Sequence, residues 1–186
     1  MVLDYCAKGD LNLFLAQKGI LSEDEAKFFF AEILLAVEYL HNHDILYRDL
    51  KPENILIGTN SIPFFLTLIA FLGSDGHIKI ADFGLAKEKV GDLDSTKSFC
   101  GSPAYLAPEM LKNKGTGKAA DIYGLGAVLF EMLTGNPPFY NEDIPKLYKN
   151  IQDGKLDIPE NLSDEASDLL MVIFIVLFIM LFFKNF

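Results

Sequence analysis

The sequence predicts a mainly α fold carrying one small β-hairpin, and three observations point there. Apolar residues recur at helical spacing in several segments, most of them opened by a capping residue. Only two short runs, Ile55-Leu56-Ile57 and Ile78-Lys79-Ile80, read as strands. With 186 residues, 51% hydrophobic and 23% charged, the chain suits one globular domain, or one domain with additions.

Taken in order, Asp10 N-caps a short helix bearing Leu11, Phe14 and Leu15, and Gly19 ends it. Ser22 and Glu25 form a capping box. The helix they open carries Ala26, Phe29, Phe30, Ile33, Val37 and Leu40 on a core-facing stripe and runs to about His41. Ser74-Asp75-Gly76 reads as a turn between the two strands. Residues 121–133 are apolar on nearly all sides, which predicts a buried helix; Gly135 and Pro137-Pro138 stop it. Leu147, Tyr148 and Ile151 mark a further short helix. Ser163 caps the last one, with Asp164 and Glu165 in its first turn, before fifteen apolar residues at 169–183.

The formal charge of -10 argues against nucleic acid as a partner; it suits either attraction of basic peptides or simply an acidic, soluble surface. Two distant cysteines, Cys6 and Cys100, give no disulfide framework or zinc spacing and fit a reducing, cytoplasmic setting. The segment from Met1 to Tyr5 lacks the basic and apolar regions of a signal peptide.

Three motifs carry the chemistry: Arg48-Asp49-Leu50-Lys51-Pro52-Glu53-Asn54, Asp82-Phe83-Gly84 and Ala107-Pro108-Glu109. Their content and order resemble the eukaryotic protein kinases. Lys51 with Ser102 resembles the serine/threonine branch. Tyr47 before Arg48, and Ser98-Phe99-Cys100-Gly101-Ser102-Pro103, resemble the group of protein kinases A, B and C and the ribosomal S6 kinases. The resemblance implies a kinase-like C-terminal lobe over residues 1–170, with the N-terminal lobe missing.

It also implies roles. Phosphoryl transfer from ATP rests on positioning and charge neutralisation. Asp49 would accept or orient the substrate hydroxyl proton, and Lys51 would offset charge on the moving phosphate. Asn54 and Asp82 supply hard oxygen ligands suited to Mg²⁺. Around the nucleotide, Leu3 would be the gatekeeper, the backbone of Asp4 and Cys6 would bond adenine, and Leu56 would floor the purine. Asp10 and Glu53 would meet the ribose or a basic residue of the substrate, although for Asp10 the helix cap suffices. Ser98 would be the activation-loop phosphoacceptor of an upstream kinase, its phosphate pairing with Arg48. Asp121 would hold the catalytic-loop backbone, and Glu109 would pair with an arginine near the end of the lobe.

The departures are as specific. No glycine-rich loop, and no strand lysine with its glutamate partner, occurs in these residues. The chain alone is therefore expected to show no kinase activity. The alternatives are an inactive binding module or a fragmentary gene model. Residues 58–72 interrupt the hairpin, and its strands rejoin tightly when they are removed. Residues 171–186 replace the expected amphipathic helix. Both stretches are rich in Phe, Ile and Leu, each with an Asn, and read as translated non-coding sequence, such as retained introns. The rival for 169–183 is a membrane anchor, but as a helix it measures about 22 Å, short of a roughly 30 Å hydrocarbon core.

Overall fold

The computed structural model describes residues 6, 9–57, 78–88, 100–112 and 115–183, with side chains to 175. The proposed insert 58–72, the turn at 74–76, and Leu3, Asp4 and Ser98 lie outside the described residues.

Six helices are described: α1 (Leu11–Lys18), α2 (Glu23–Asn42), α3 (Pro108–Leu111), α4 (Lys118–Thr134), α5 (Ile144–Asp153) and α6 (Asp164–Phe183). Two strands, β1 (Ile55–Leu56) and β2 (Lys79–Ile80), pair antiparallel, with Ile55 opposite Ile80 and Leu56 opposite Lys79. The mainly helical expectation with one small hairpin is met.

Local chemistry explains the boundaries. The Asp10 carboxylate accepts the Leu13 N–H at 2.8 Å and starts α1. Ser22 and Glu25 close the reciprocal capping box of α2, and each satisfies a backbone donor the helix leaves open. Gly135 and Gly154 end α4 and α5 in the left-handed region. The buried helix starts three residues earlier than its apolar run suggests, at Lys118: the polar first turn continues the helix although it lies outside the hydrophobic stripe. Strand β1 stops at Leu56, because the Ile57 N–H turns to the Gly9 carbonyl at 2.9 Å instead of extending the hairpin.

Helix α4 is the centre of the core. It packs against α2 on one side and α6 on the other. Leu125, Ala127, Val128 and Met132 are almost wholly buried there, with Ile33 and Val37 from α2 and Leu170 and Phe174 from α6 in the same core. Gly126 permits the close approach of α6: a Cβ there would lie 2.5 Å from Ile173 Cγ2. Among the described residues no helix is long and apolar enough to cross a membrane.

Candidate active site

The loop leaving α2 is held by one carboxylate. Asp121, buried on α4, accepts the N–H of Tyr47 at 2.9 Å and of Arg48 at 2.7 Å. His41 Nε2 lies 2.8 Å from the same group. Arg48 is left-handed, φ 69°, a conformation costly for a non-glycine residue and kept only where surrounding bonds impose it.

The next residues wrap around Asp49, itself buried at 7% exposure. Its Oδ2 accepts from Lys51 Nζ at 2.9 Å and from Asn54 Nδ2 at 3.1 Å. Its Oδ1 accepts both the N–H and the hydroxyl of Ser102 at 3.1 Å. Lys51 Nζ also donates to Ser102 Oγ at 2.9 Å, closing a ring of carboxylate, ammonium and hydroxyl. The 3-10 turn Pro52–Asn54 brings Asn54 back beneath Asp49, and Asn54 Nδ2 donates to the Asp49 carbonyl at 2.9 Å. Ser102 reaches the ring because Gly101, at φ 108°, passes close to the loop; a Cβ there would stand 3.0 Å from the Arg48 carbonyl oxygen.

The Asp82 arm is sewn to the same loop. Ala81 N–H donates to the Asn54 carbonyl at 2.9 Å, and the Tyr47 hydroxyl donates to the Ala81 carbonyl. Arg48 Nε donates to the Leu85 carbonyl at 2.7 Å, and Leu46 and Lys87 exchange backbone bonds. Phe83 meets the Tyr47 ring edge-on at 5.4 Å. Burial pushes the Tyr47 hydroxyl well above the usual phenol range, so it stays a donor. Asp82 itself is left-handed, φ 55°, and its carboxylate accepts the Gly84 N–H at 3.1 Å.

The donor set fits Mg²⁺. Asn54 spends its N–H groups on Asp49, which leaves its amide oxygen as the ligand atom, and Asp82 adds an exposed carboxylate. Among the described residues no group of three or more His, Cys, Asp or Glu side chains could hold a metal alone. The Asn54 amide oxygen and the Asp82 carboxylate would suit an ion that takes few protein ligands and the rest from phosphate and water.

The remaining sequence candidates lie nearby or apart. Leu56 is half-buried and bridges to Asp10, whose carboxylate caps α1. The Cys6 carbonyl accepts the Gly9 N–H at 3.2 Å. Glu109 is buried on α3, near enough to help raise the Tyr123 hydroxyl, whose shift comes first from burial. The anticipated arginine cannot come from these residues, since Arg48 is the sole arginine of the sequence.

One acid escaped sequence reasoning. Glu131 sits inside α4 and accepts the Tyr105 hydroxyl at 2.5 Å. Burial raises its pKa, and exposed Glu53 raises it further by like charge. The signal was present: besides Asp121, Glu131 is the other acid of an otherwise largely apolar helix, and acids there are rarely buried without a task.

The chain matches the protein kinase domain model over residues 1–176. It is 47% identical over 170 residues to protein kinase 2 of Dictyostelium discoideum, covering 91% of this chain and 32% of that protein. It is 43% identical over 169 residues to the human RAC-beta serine/threonine-protein kinase, with the same coverages of 91% and 32%. Against the human cAMP-dependent protein kinase catalytic subunit PRKX it is 43% identical over 170 residues, 91% of this chain and 42% of that one. The chain thus spans about a third of the length of the first two relatives. With this match and the three ordered motifs, the chain belongs to the protein kinase family.

Proposed function

We propose that these residues form the catalytic half of an ATP-dependent kinase that phosphorylates serine or threonine in proteins. The ring of Asp49, Lys51, Asn54 and Ser102 carries this reading. Both Asp49 oxygens already accept hydrogen bonds, so the carboxylate is fixed in place before a substrate arrives. An incoming hydroxyl takes the place of the Ser102 hydroxyl on Oδ1 and is thereby aimed and relieved of its proton. Lys51, released from part of its contact with Ser102, offsets charge on the phosphate being transferred. Asn54 and Asp82 would hold Mg²⁺, which neutralises the nucleotide phosphates. Exposed Glu53, beside the catalytic loop, supports a substrate with basic residues near the phosphoacceptor.

The regulatory reading places the phosphoacceptor at Ser98, under an upstream kinase, with Arg48 receiving the phosphate. The free thiols of Cys6 and Cys100 are in keeping with a cytoplasmic setting. The 186-residue polypeptide by itself is proposed to be inactive, because its sequence supplies no glycine-rich loop or phosphate-binding strand lysine.

A chimera tests both halves of the proposal. The chain alone, given labelled ATP and a basic serine peptide, should transfer no phosphate. Joined behind the N-terminal lobe of the RAC-beta kinase it should transfer, and Asp49→Asn should abolish this. A folded but silent chimera would favour the binding-module reading; turnover by the chain alone would overturn the claim of inactivity.

A further inference from the structure

Away from the catalytic loop, the start of α6 and the start of α2 meet. Ser163 donates from its N–H and its hydroxyl to the two oxygens of Glu23, both at 2.7 Å. Beside this junction is a half-open hollow of about 220 Å³ with apolar walls from Ala26, Phe30, Leu129, Leu133, Ala166 and Leu169. It is smaller than the usual range of roughly 300 Å³ and above for small-molecule sites, and it suits one or two bulky apolar side chains.

The hollow does not end at its rim. Leu169, on its edge, is 40% exposed, and Val172 at 57% and Ile175 at 42% continue the same helical face into solvent. The opposite face of α6, with Leu170, Ile173 and Phe174, is buried against the core. One turn before Leu169 the outward face changes character: Asp164, Glu165 and Asp168 are exposed there, and exposed Asp24 of α2 lines the hollow. Lys27 is the one basic residue among those lining it.

We propose that this strip is the docking groove for an amphipathic helix of a partner protein, one with an apolar face and basic residues at one end. A bulky anchor of that helix fills the hollow, its apolar face covers Leu169, Val172 and Ile175, and its basic end meets Asp24, Asp164, Glu165 and Asp168. Charge selects this occupant over two others. A second copy brings a further net charge of -10 and the same acids to the contact. A lipid surface is disfavoured because the acidic end of the strip opposes the anionic leaflet that attracts basic helices.

The test uses the full chain and a labelled synthetic helix with Leu and Phe on one face and lysines at one end, read by fluorescence anisotropy. The lysine helix should bind at least about tenfold more tightly than the same helix with glutamates in place of lysines. Asp24→Lys with Glu165→Lys should reverse that preference, and 0.5 M salt should flatten it. Leu169→Asp should abolish binding of both. Should Leu169→Asp fail to fold by circular dichroism, the doubly reversed variant decides, because both its positions are exposed. No binding, or binding indifferent to the sign of the charge, overturns the proposal. So does a chain that sediments as a dimer dispersed by Leu169→Asp and not by the helix, or one that partitions onto phosphatidylcholine vesicles through Leu169.

Discussion

The Asp121 carboxylate accepts the backbone N–H of Arg48 at 2.7 Å, and Arg48 is held at φ 69°. A side chain on the central core helix thus fixes the backbone twist that aims the next residue, Asp49. Replacing Asp121 by asparagine puts an amide N–H₂ where an acceptor is needed. A loss of about 2–3 kcal/mol is expected in urea unfolding, the range for bonds to a buried charged group. A loss within experimental error would mean the twist is imposed from elsewhere.

Ser102 bonds Asp49 twice, by N–H and by hydroxyl. Ser102→Ala removes the second together with the bond its hydroxyl accepts from Lys51, and should cost about 1–2 kcal/mol of stability. Ser102→Thr keeps the hydroxyl and should restore most of it. In the active chimera, the alanine variant should lose more in kcat than in KM, because it loosens the group that aims the substrate rather than the surface that binds it.

Ser163 caps α6 through the Ala166 N–H at 3.1 Å and binds Glu23. Ser163→Ala should therefore lower stability by about 1 kcal/mol or somewhat more. The bonds from the Ser163 N–H and hydroxyl lower the Glu23 pKa. A depressed carboxylate pKa stabilises the fold above the unfolded value and loses that contribution as pH falls through the folded one. The deficit of Glu23→Gln against wild type should be present at pH 7 and shrink below pH about 4.5, measured by thermal melts across pH.

Glu131 carries the opposite sign. Burial, helped by Glu53, raises its pKa against the bond from Tyr105. Its contribution is fully present below the unfolded pKa and is lost as pH rises through the raised folded value. Glu131→Gln, which can still accept the Tyr105 hydroxyl, should be more stable than wild type at pH 7 and equal to it at pH 4. A variant less stable at both pH values would show that the charge is required for packing.

Gly126 lies under Ile173. Gly126→Ala should gain helix propensity but overpack the α4–α6 contact, for a net loss of about 1–3 kcal/mol. Ile173→Ala alone should also destabilise, yet the double variant should be more stable than the sum of the two predicts. Simple additivity would show that the helices separate at no cost.

How legible all this was depends on chain distance. Asp10, Ser22 and Glu25 announce their caps because cap and backbone donor lie within one turn. Asp49, Lys51 and Asn54 were legible together as one contiguous string of the family motif, which a short turn then gathers onto one carboxylate. Asp121 and Ser102 were placed only through the family motif, since no spacing rule joins residues more than fifty positions apart. The Tyr105–Glu131 pair and the Tyr47 hydroxyl bond to Ala81 are tertiary and left no local trace. Nor did the left-handed backbone of Arg48 and Asp82, where no glycine marks the position.

The bond between Glu23 and Ser163 also has a consequence in time. The two residues are 140 positions apart. At roughly 5–20 residues per second, Glu23 waits about 7–28 s after its own synthesis before the serine that engages it is made. During that interval Ala26 and Phe30 have no α6 to cover them, and neither does the α4 surface that follows. A newborn chain thus leaves the α4 surface more exposed until α6 is made and packs against it. This chain should therefore depend on holding chaperones more than its size alone suggests.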